Sequence, residues 1–371
     1  MAQRPSPRAR AAQWLLLLAV MAFGWLLAHM AAANLGRRHM GIGFGFLADN
    51  ANFDIPFHLI DWSVGDTYLR ALLVCTLNTL LVSAMAIVAA TLLGLVVGVM
   101  RLSTNWLVRN IALAFIEMVR NTPQLVQIIF WYIAVLQTLP SPRHSILLPG
   151  GMLLNIRGLY LPTPEFGARA GVLAALAAVV LLAAPFARRW TLRGRPVGGR
   201  AALLPLLAAV LAVAGIDRLD WPAMQGFNIQ GGIQVPPELV ALWAGLSIYG
   251  AAFIAEIVRG AIVAVPKGQG EAALSLGMRP GQVLTKVVLP QALRVMVPPL
   301  TSQYLNLIKS SSLGAAIAYP ELFQIFAGTV LNQSGRELET IMLLMAIFLT
   351  INLLTAAFMN WYNRHVALEE R

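Results

Sequence analysis

Apolar residues in this chain come in long unbroken runs rather than in alternating or heptad patterns. The runs cover residues 14–33, 71–100, 111–139, 170–187, 201–216, 237–257, 291–308 and 340–359. A helix needs about 20 apolar residues to cross a hydrocarbon core about 30 Å thick. The pattern therefore predicts an all-α, polytopic membrane helix bundle with about eight transmembrane helices. The 201–216 run is short and contains Pro205. The 291–308 run is the most polar, holding Arg294, Gln303 and Asn306 beside Pro298 and Pro299. Such a helix is expected among other helices rather than against lipid.

Two runs admit a second reading. Residues 313–331 are apolar but interrupted by Pro320 and Glu321. A Pro-Glu pair at mid-depth favours a short re-entrant or interfacial helix. If the run spanned, there would be nine helices and the C-terminus would lie on the opposite side. The first run follows Arg4, Arg8 and Arg10 and ends in Ala31-Ala32-Ala33, the features of a cleavable signal. It is long for a signal and precedes a polytopic chain, so a retained helix is expected, with His29 at its interfacial end.

Composition agrees with a membrane protein. Of 371 residues, 58% are hydrophobic and 12% charged, against about 25% charged in soluble domains; the mean hydropathy is +0.71. The net charge of +11 sits in short blocks between apolar runs, not on a basic face with interleaved aromatics. That arrangement signals topology and not nucleic acid. With the N-terminus in the cytoplasm and eight spans, and with Arg120 inside a span left out, seventeen Lys and Arg fall on the cytoplasmic side and nine on the other. Both termini are thus expected inside. Cys75 is the only cysteine, which excludes an intrachain disulfide and a cysteine-based metal site. The five His form no HExxH or other spaced metal set, and no G-x-S-x-G elbow is present. No Gly-x-x-x-x-Gly-Lys-Ser/Thr phosphate loop exists either, so no ATP hydrolysis is expected from this chain.

One polar island stands out on the cytoplasmic side, residues 271–290, EAALSLGMRPGQVLTKVVLP. Glu271 to Leu276 favours helix, with Ala272 and Ala273 forming a small-residue surface. Gly277 can take positive φ and end that helix. A second helix is expected from Arg279 to Val288, with Pro280 tolerated in its first turn. The predicted object is a hinged helix–turn–helix knuckle whose orientation Glu271 and Arg279 can fix. The physics also allows an amphipathic loop lying on lipid headgroups.

The spacing resembles the cytoplasmic EAA loop of ABC-importer permeases: Glu-Ala-Ala, three residues, Gly, and a hydrophobic-x-Leu-Pro ending. Glu271, Ala272, Ala273, Gly277, Leu289 and Pro290 match, with Val287 where Ile is common. AEIVRGAIVAVPKGQGEAA (255–273), LPQALRVMVPPL, LNLIKSSSLGAAI and EMVRNTPQLVQIIFWYIAVL (117–136) are similar to the polar-amino-acid branch of that family. LQTLPSPRHSI looks like its long form, the general L-amino-acid or glutamate/glutamine/aspartate/asparagine permeases.

The resemblance implies a type I ABC-importer permease core with extra helices. Residues 1–65 would hold an extra helix and a periplasmic loop, 66–138 and 237–371 the two parts of the core, and 139–236 an insertion with two extra helices. The coupling loop would lie at about 259–290. The resemblance further implies a bacterial inner-membrane protein that binds no cofactor itself. Its implied partners are cytoplasmic ATPase subunits that use ATP, a second and paralogous permease, a periplasmic amino-acid-binding protein, and membrane lipid. Glu271, Ala272, Ala273, Gly277, Arg279, Leu289 and Pro290 would dock the ATPase.

Charged and amide groups at membrane depth are candidates for the substrate path: Glu117, Arg120, Asn121 and Gln124, then Glu256, then Asn306 and Lys309. Against this, Glu117 and Arg120 stand at i and i+3 and can pair with each other, and Glu256 lies beside Arg259. The rival to an ATP-driven permease is an ion-gradient-driven secondary transporter with Glu117 or Glu256 as proton relay. A channel or structural scaffold is a second rival.

Overall fold

The computed structural model describes residues 7–37, 43–167, 216–226 and 228–366, together with Leu173 and Leu176. Apart from Leu173, Leu176 and Ile216, the expected spans at 170–187 and 201–216 lie outside the described residues. Among the described residues four helices are long and apolar enough to cross a membrane: Tyr68–Arg101, Pro237–Ala264, Pro280–Ile317 and Glu337–Arg364. The N-terminal run is helical over Pro7–Arg37 (α1). Trp14, Leu16, Phe23 and Trp25 are all exposed on it, as suits a helix facing lipid on every side.

The bundle is organised on Tyr68–Arg101 (α2). Thr67 caps it by accepting from the Arg70 N–H at 3.4 Å. The next helix, Trp106–Arg120 (α3), begins on Asn105, whose Oδ1 accepts from Leu107 N–H at 2.9 Å and Val108 N–H at 3.3 Å. The expected single span over 111–139 is broken here. The chain leaves the helix at Asn121–Thr122 and restarts as Gln124–Ile129 (α4), continued by a wider π-helical stretch, Phe130–Leu136. Pro123 is the cause: it lacks an N–H and biases its predecessor away from helical angles. Gln127 fills the gap, its Nε2 donating to the Val119 carbonyl at 2.8 Å and the Thr122 carbonyl at 3.1 Å.

After the insertion, Pro237–Ala264 (α5) packs along α2. A Cβ on Gly94 would lie 2.6 Å from Ile254 Cγ2, and one on Gly98 would lie 2.8 Å from the Ala255 carbonyl. Residue numbers rise together along this seam, so α2 and α5 run parallel. Close approach over small residues is how helices associate without a hydrophobic drive. Two short helices follow, Lys267–Ser275 (α6) and Pro280–Val283 (α7), and then Leu289–Ser310 (α8). The α8 helix contains Pro298 and Pro299 and returns beside both partners. Tyr304 and Thr91 are hydrogen-bonded at 2.9 Å, and Leu307 reaches to 3.0 Å of a Cβ placed on Gly250.

Residues 313–331 do not form one helix. A tight turn, Ser311–Ile317, ends at Ala318 with φ 58°, and a new helix starts after Glu321. It runs through a π-helical stretch, Gln324–Val330, and Leu331–Ser334 (α9) to Gly335. Glu321 is fully buried and caps this helix, accepting from Phe323 N–H at 2.8 Å and Gln324 N–H at 2.6 Å. The last helix is Glu337–Val366 (α10).

Helices are not the whole fold. Among the described residues eight short strands, which no alternation in the sequence announces, lie between the halves of the bundle. Ile146–Leu148 (β1), Met152–Asn155 (β2), Gly158–Leu161 (β3) and Ile233–Val235 (β8) form an antiparallel sheet in the order β1-β2-β3-β8. Thr163–Phe166 (β4) pairs with Ile216–Asp220 (β5), and Ala223–Gln225 (β6) with Asn228–Gln230 (β7). Strand β8 runs directly into α5, which ties the module to one end of the bundle.

Candidate functional site

The knuckle forms as its residues dictate, at the end of α5 opposite the strands. Helix α6 stops at Gly277, whose φ is +79°. The Gly277 N–H donates to the Leu274 carbonyl at 2.9 Å and the Met278 N–H to the Ala273 carbonyl at 3.2 Å. This pair of bonds is a Schellman motif, and it needs the left-handed conformation glycine supplies. Helix α7 starts at once: Pro280 occupies its first turn and the Arg279 N–H donates to Gln282 Oε1 at 3.0 Å. A π-helical turn, Leu284–Val288, joins it to α8.

Burial divides the motif. Ala273 and Val283 are buried in the knuckle, where Val283 Cγ1 stands 3.8 Å from a Cβ placed on Gly270. Ala273 is thus buried and is not part of an outward small-residue surface. Glu271, Ala272, Gly277 and Arg279 are exposed, and Leu289 and Pro290 are half-buried at the start of α8. Glu271 and Arg279 form no ion pair with each other; the capping bonds orient the knuckle instead. Leu276, at its turn, is 83% exposed, and Leu274 and Leu284 are exposed as well. Three exposed leucines on one small element mark a surface that associates.

The membrane-depth candidates separate into two groups. Glu117 does not pair with Arg120: its Oε2 accepts from Asn121 Nδ2 at 3.2 Å, while the Arg120 guanidinium stacks 5.0 Å above the Phe253 ring on α5. A cation over an aromatic face is attracted by the ring quadrupole. Glu256, three residues beyond Phe253, is held by Arg259 at 2.9 Å. That pairing is the one the i, i+3 spacing of Glu256 and Arg259 allows. Gln124 is half-buried, and its Nε2 is enclosed without a partner. Asn306 and Lys309 lie apart on α8, exposed on the same helical face as Pro298 and Ser302.

A cluster outside those candidates ties the bundle together. Asn78 is fully buried on α2 and donates through Nδ2 to the Phe57 carbonyl at 2.8 Å and the Pro320 carbonyl at 2.9 Å. The Tyr319 hydroxyl donates to the Asn78 carbonyl at 3.1 Å, and Thr79 Oγ1 accepts from Leu322 N–H at 3.0 Å. A polar Thr-Leu-Asn-Thr inside an apolar run was the available signal.

The arrangement is that of a membrane permease: small-residue helix seams, a reversed segment with its buried carboxylate cap, and an apolar-tipped knuckle outside the bundle. Residues 201–368 match the model of the binding-protein-dependent transport system inner membrane component. The chain is 47% identical to the putative amino-acid ABC transporter permease protein YhdX of Escherichia coli (strain K12), over 99% of this chain and 96% of that one. It is 43% identical to the general L-amino acid transport system permease protein AapQ of Rhizobium johnstonii, over 97% and 92% of the two chains. The chain belongs to the family of amino-acid ABC transporter permeases. Its fold is shared with a crystal structure of an amino acid ABC transporter with histidines, at TM-score 0.50 and 19% identity over 80% of this chain and 95% of that one.

Proposed function

We propose that this permease carries amino acids into a bacterial cell through the inner membrane, driven by a separate ATPase that docks on the knuckle at residues 267–290. The exposed leucine tip held on a Schellman turn supports this reading most directly. A rigid apolar tip, flanked by Glu271 and Arg279, is suited to a cleft on a soluble partner. ATP binds that partner and not this chain. Alternating access would follow from the knuckle's connections: α5 enters it and the continuous segment Pro280–Ile317 leaves it. Movement of the knuckle would therefore tilt two long helices together.

In this reading both termini are cytoplasmic, and residues 66–138 and 237–371 form the core around the 139–236 insertion. The exposed polar face of α8, with Asn306 and Lys309, would line the path against a second, paralogous permease. Glu117, Arg120 and Gln124 would border it. A periplasmic amino-acid-binding protein would deliver substrate to the strand end.

Uptake of a labelled amino acid by the reconstituted complex tests the coupling. Glu271→Lys and Gly277→Val are expected to lower ATP-driven uptake about tenfold or more, as loss of a docking centre does, while the permease still inserts. Gly277→Asn should retain much of it, since Asn tolerates positive φ. Normal uptake by the Lys and Val variants, or uptake without the ATPase, would instead favour a gradient-driven transporter.

A further inference from the structure

At the strand end of the bundle, four separate parts of the chain line a half-open cavity of about 520 Å³. They are the loop before α2, the β2–β3 turn, the β8–α5 junction and the turn at Ala318–Pro320. That volume is in the usual range for small-molecule sites. Its wall is apolar at Phe57, Ile156 and Pro320, and it carries one cation, Arg157, and one anion, Glu238. No ion pair joins these two charges to each other.

Both charges are held in place by neighbours. Arg157 sits in a turn closed by its N–H donating to Asn155 Oδ1 at 2.8 Å. Its Nη1 donates to Asn228 Oδ1 at 2.7 Å, and its carbonyl accepts from Gln234 Nε2 at 2.7 Å. The next residue must be glycine, because a Cβ on Gly158 would lie 2.1 Å from the Val235 carbonyl. Glu238 begins α5, and its Oε1 accepts from the Tyr132 hydroxyl at 2.9 Å. A guanidinium has five N–H donors and a carboxylate about four lone-pair sites, so each keeps capacity for a ligand.

A lone anion would meet Glu238 in this cavity, and a lone cation would meet Arg157. A small molecule carrying both charges suits it. We propose that the cavity receives a free amino acid as its zwitterion at the outer mouth of the permease, Arg157 binding the α-carboxylate and Glu238 the α-ammonium. The planar fork of arginine is matched to a carboxylate, and the Phe57–Ile156–Pro320 wall would face the side chain. The site and the knuckle lie at opposite ends of α5, a helix of 28 residues and so about 42 Å long at 1.5 Å per residue, and the site would hold substrate before the α8 path opens. This inference rests on the import reading above.

The test is equilibrium binding of radiolabelled L-glutamine, L-glutamate and L-alanine to the full permease complex in nanodiscs, without ATP or binding protein. Arg157→Gln and Glu238→Gln are each expected to weaken binding about tenfold or more, the loss of one charge-assisted contact. On the unmodified protein, N-acetyl amino acids and amino-acid methyl esters should compete at least about tenfold more weakly than the parent. That arm needs no substitution and so is independent of folding. Unchanged binding in both variants, equal competition by the blocked compounds, or no binding to the unmodified complex would overturn the assignment. ATP-driven uptake by the same complex separates the two readings. If uptake proceeds while the cavity results are negative, only the cavity assignment falls. If no amino acid is imported at all, the import reading falls with it.

Discussion

Asn78 ties together parts of the chain that lie far apart in sequence. One side chain on α2 joins the loop before that helix to the reversed segment more than two hundred residues later, through bonds to Phe57 and Pro320. Asn78→Leu keeps the branched shape but leaves both carbonyls without that donor, the Pro320 one in a buried place and the Phe57 one in a part-buried place. Each unsatisfied buried group costs about 1–3 kcal/mol. The variant is therefore expected to lose about 2–4 kcal/mol, read as a lowered thermal unfolding midpoint of the purified protein. Thr79→Val, which removes the acceptor for Leu322 N–H and the hydroxyl's own bond to the Cys75 carbonyl, should lose about half as much. Equal midpoints for Asn78→Leu and the parent would show the network to be dispensable. An asparagine in an apolar run was visible in the sequence, but its partners were not, because nothing local specifies which distant carbonyls a side chain will reach.

Elements defined by backbone chemistry were more legible than those defined by packing. Gly277 and Pro280 act through φ and a missing N–H, so the knuckle could be drawn from its residues, and it formed with the expected hinge. Burial of Ala273 could not be drawn that way, since it depends on how α6 and α7 meet. Pro123 carried the same kind of signal inside the 111–139 run, yet hydropathy alone overrode it and one span was expected where two helices lie. The strands escaped for a different reason. Most are three or four residues long and sit against a bundle end, so no two-residue alternation has room to develop. The break at Pro123 makes its own prediction. Gln127→Leu removes the donor shared by the Val119 and Thr122 carbonyls and should cost about 1–3 kcal/mol. Gly94→Val tests the seam, where even a Cβ lies 2.6 Å from Ile254. Overpacking there is expected to cost about 1–3 kcal/mol or more, and the measurement is the yield of monodisperse protein after heating. A Gly94→Val protein as heat-resistant as the parent would mean α2 and α5 can separate freely.

At the scale of the whole molecule, orientation joins these parts. Because α2 and α5 run parallel, their starts share one end with the strands and the cavity, and their ends share the other with the knuckle. In the proposed orientation, which the cation count favours, the knuckle end lies in the cytoplasm. Thiol accessibility checks this cleanly, since Cys75, the only native cysteine, is fully buried and should stay silent. Arg157→Cys is expected to react with a membrane-impermeant maleimide added outside intact cells. Arg279→Cys should react only after the inner face is opened, and both positions are exposed in the folded chain. The reverse pattern would invert the molecule, placing the leucine tip where no ATP is available. It would also place the Arg157–Glu238 cavity on the exit side, so that the charges proposed to receive substrate would act in its release. Labelling of both positions from outside would instead mean that the end-to-end separation set by the parallel helices does not cross the bilayer. Only opposite accessibility is compatible with a knuckle that takes up work on one face while a zwitterion enters on the other.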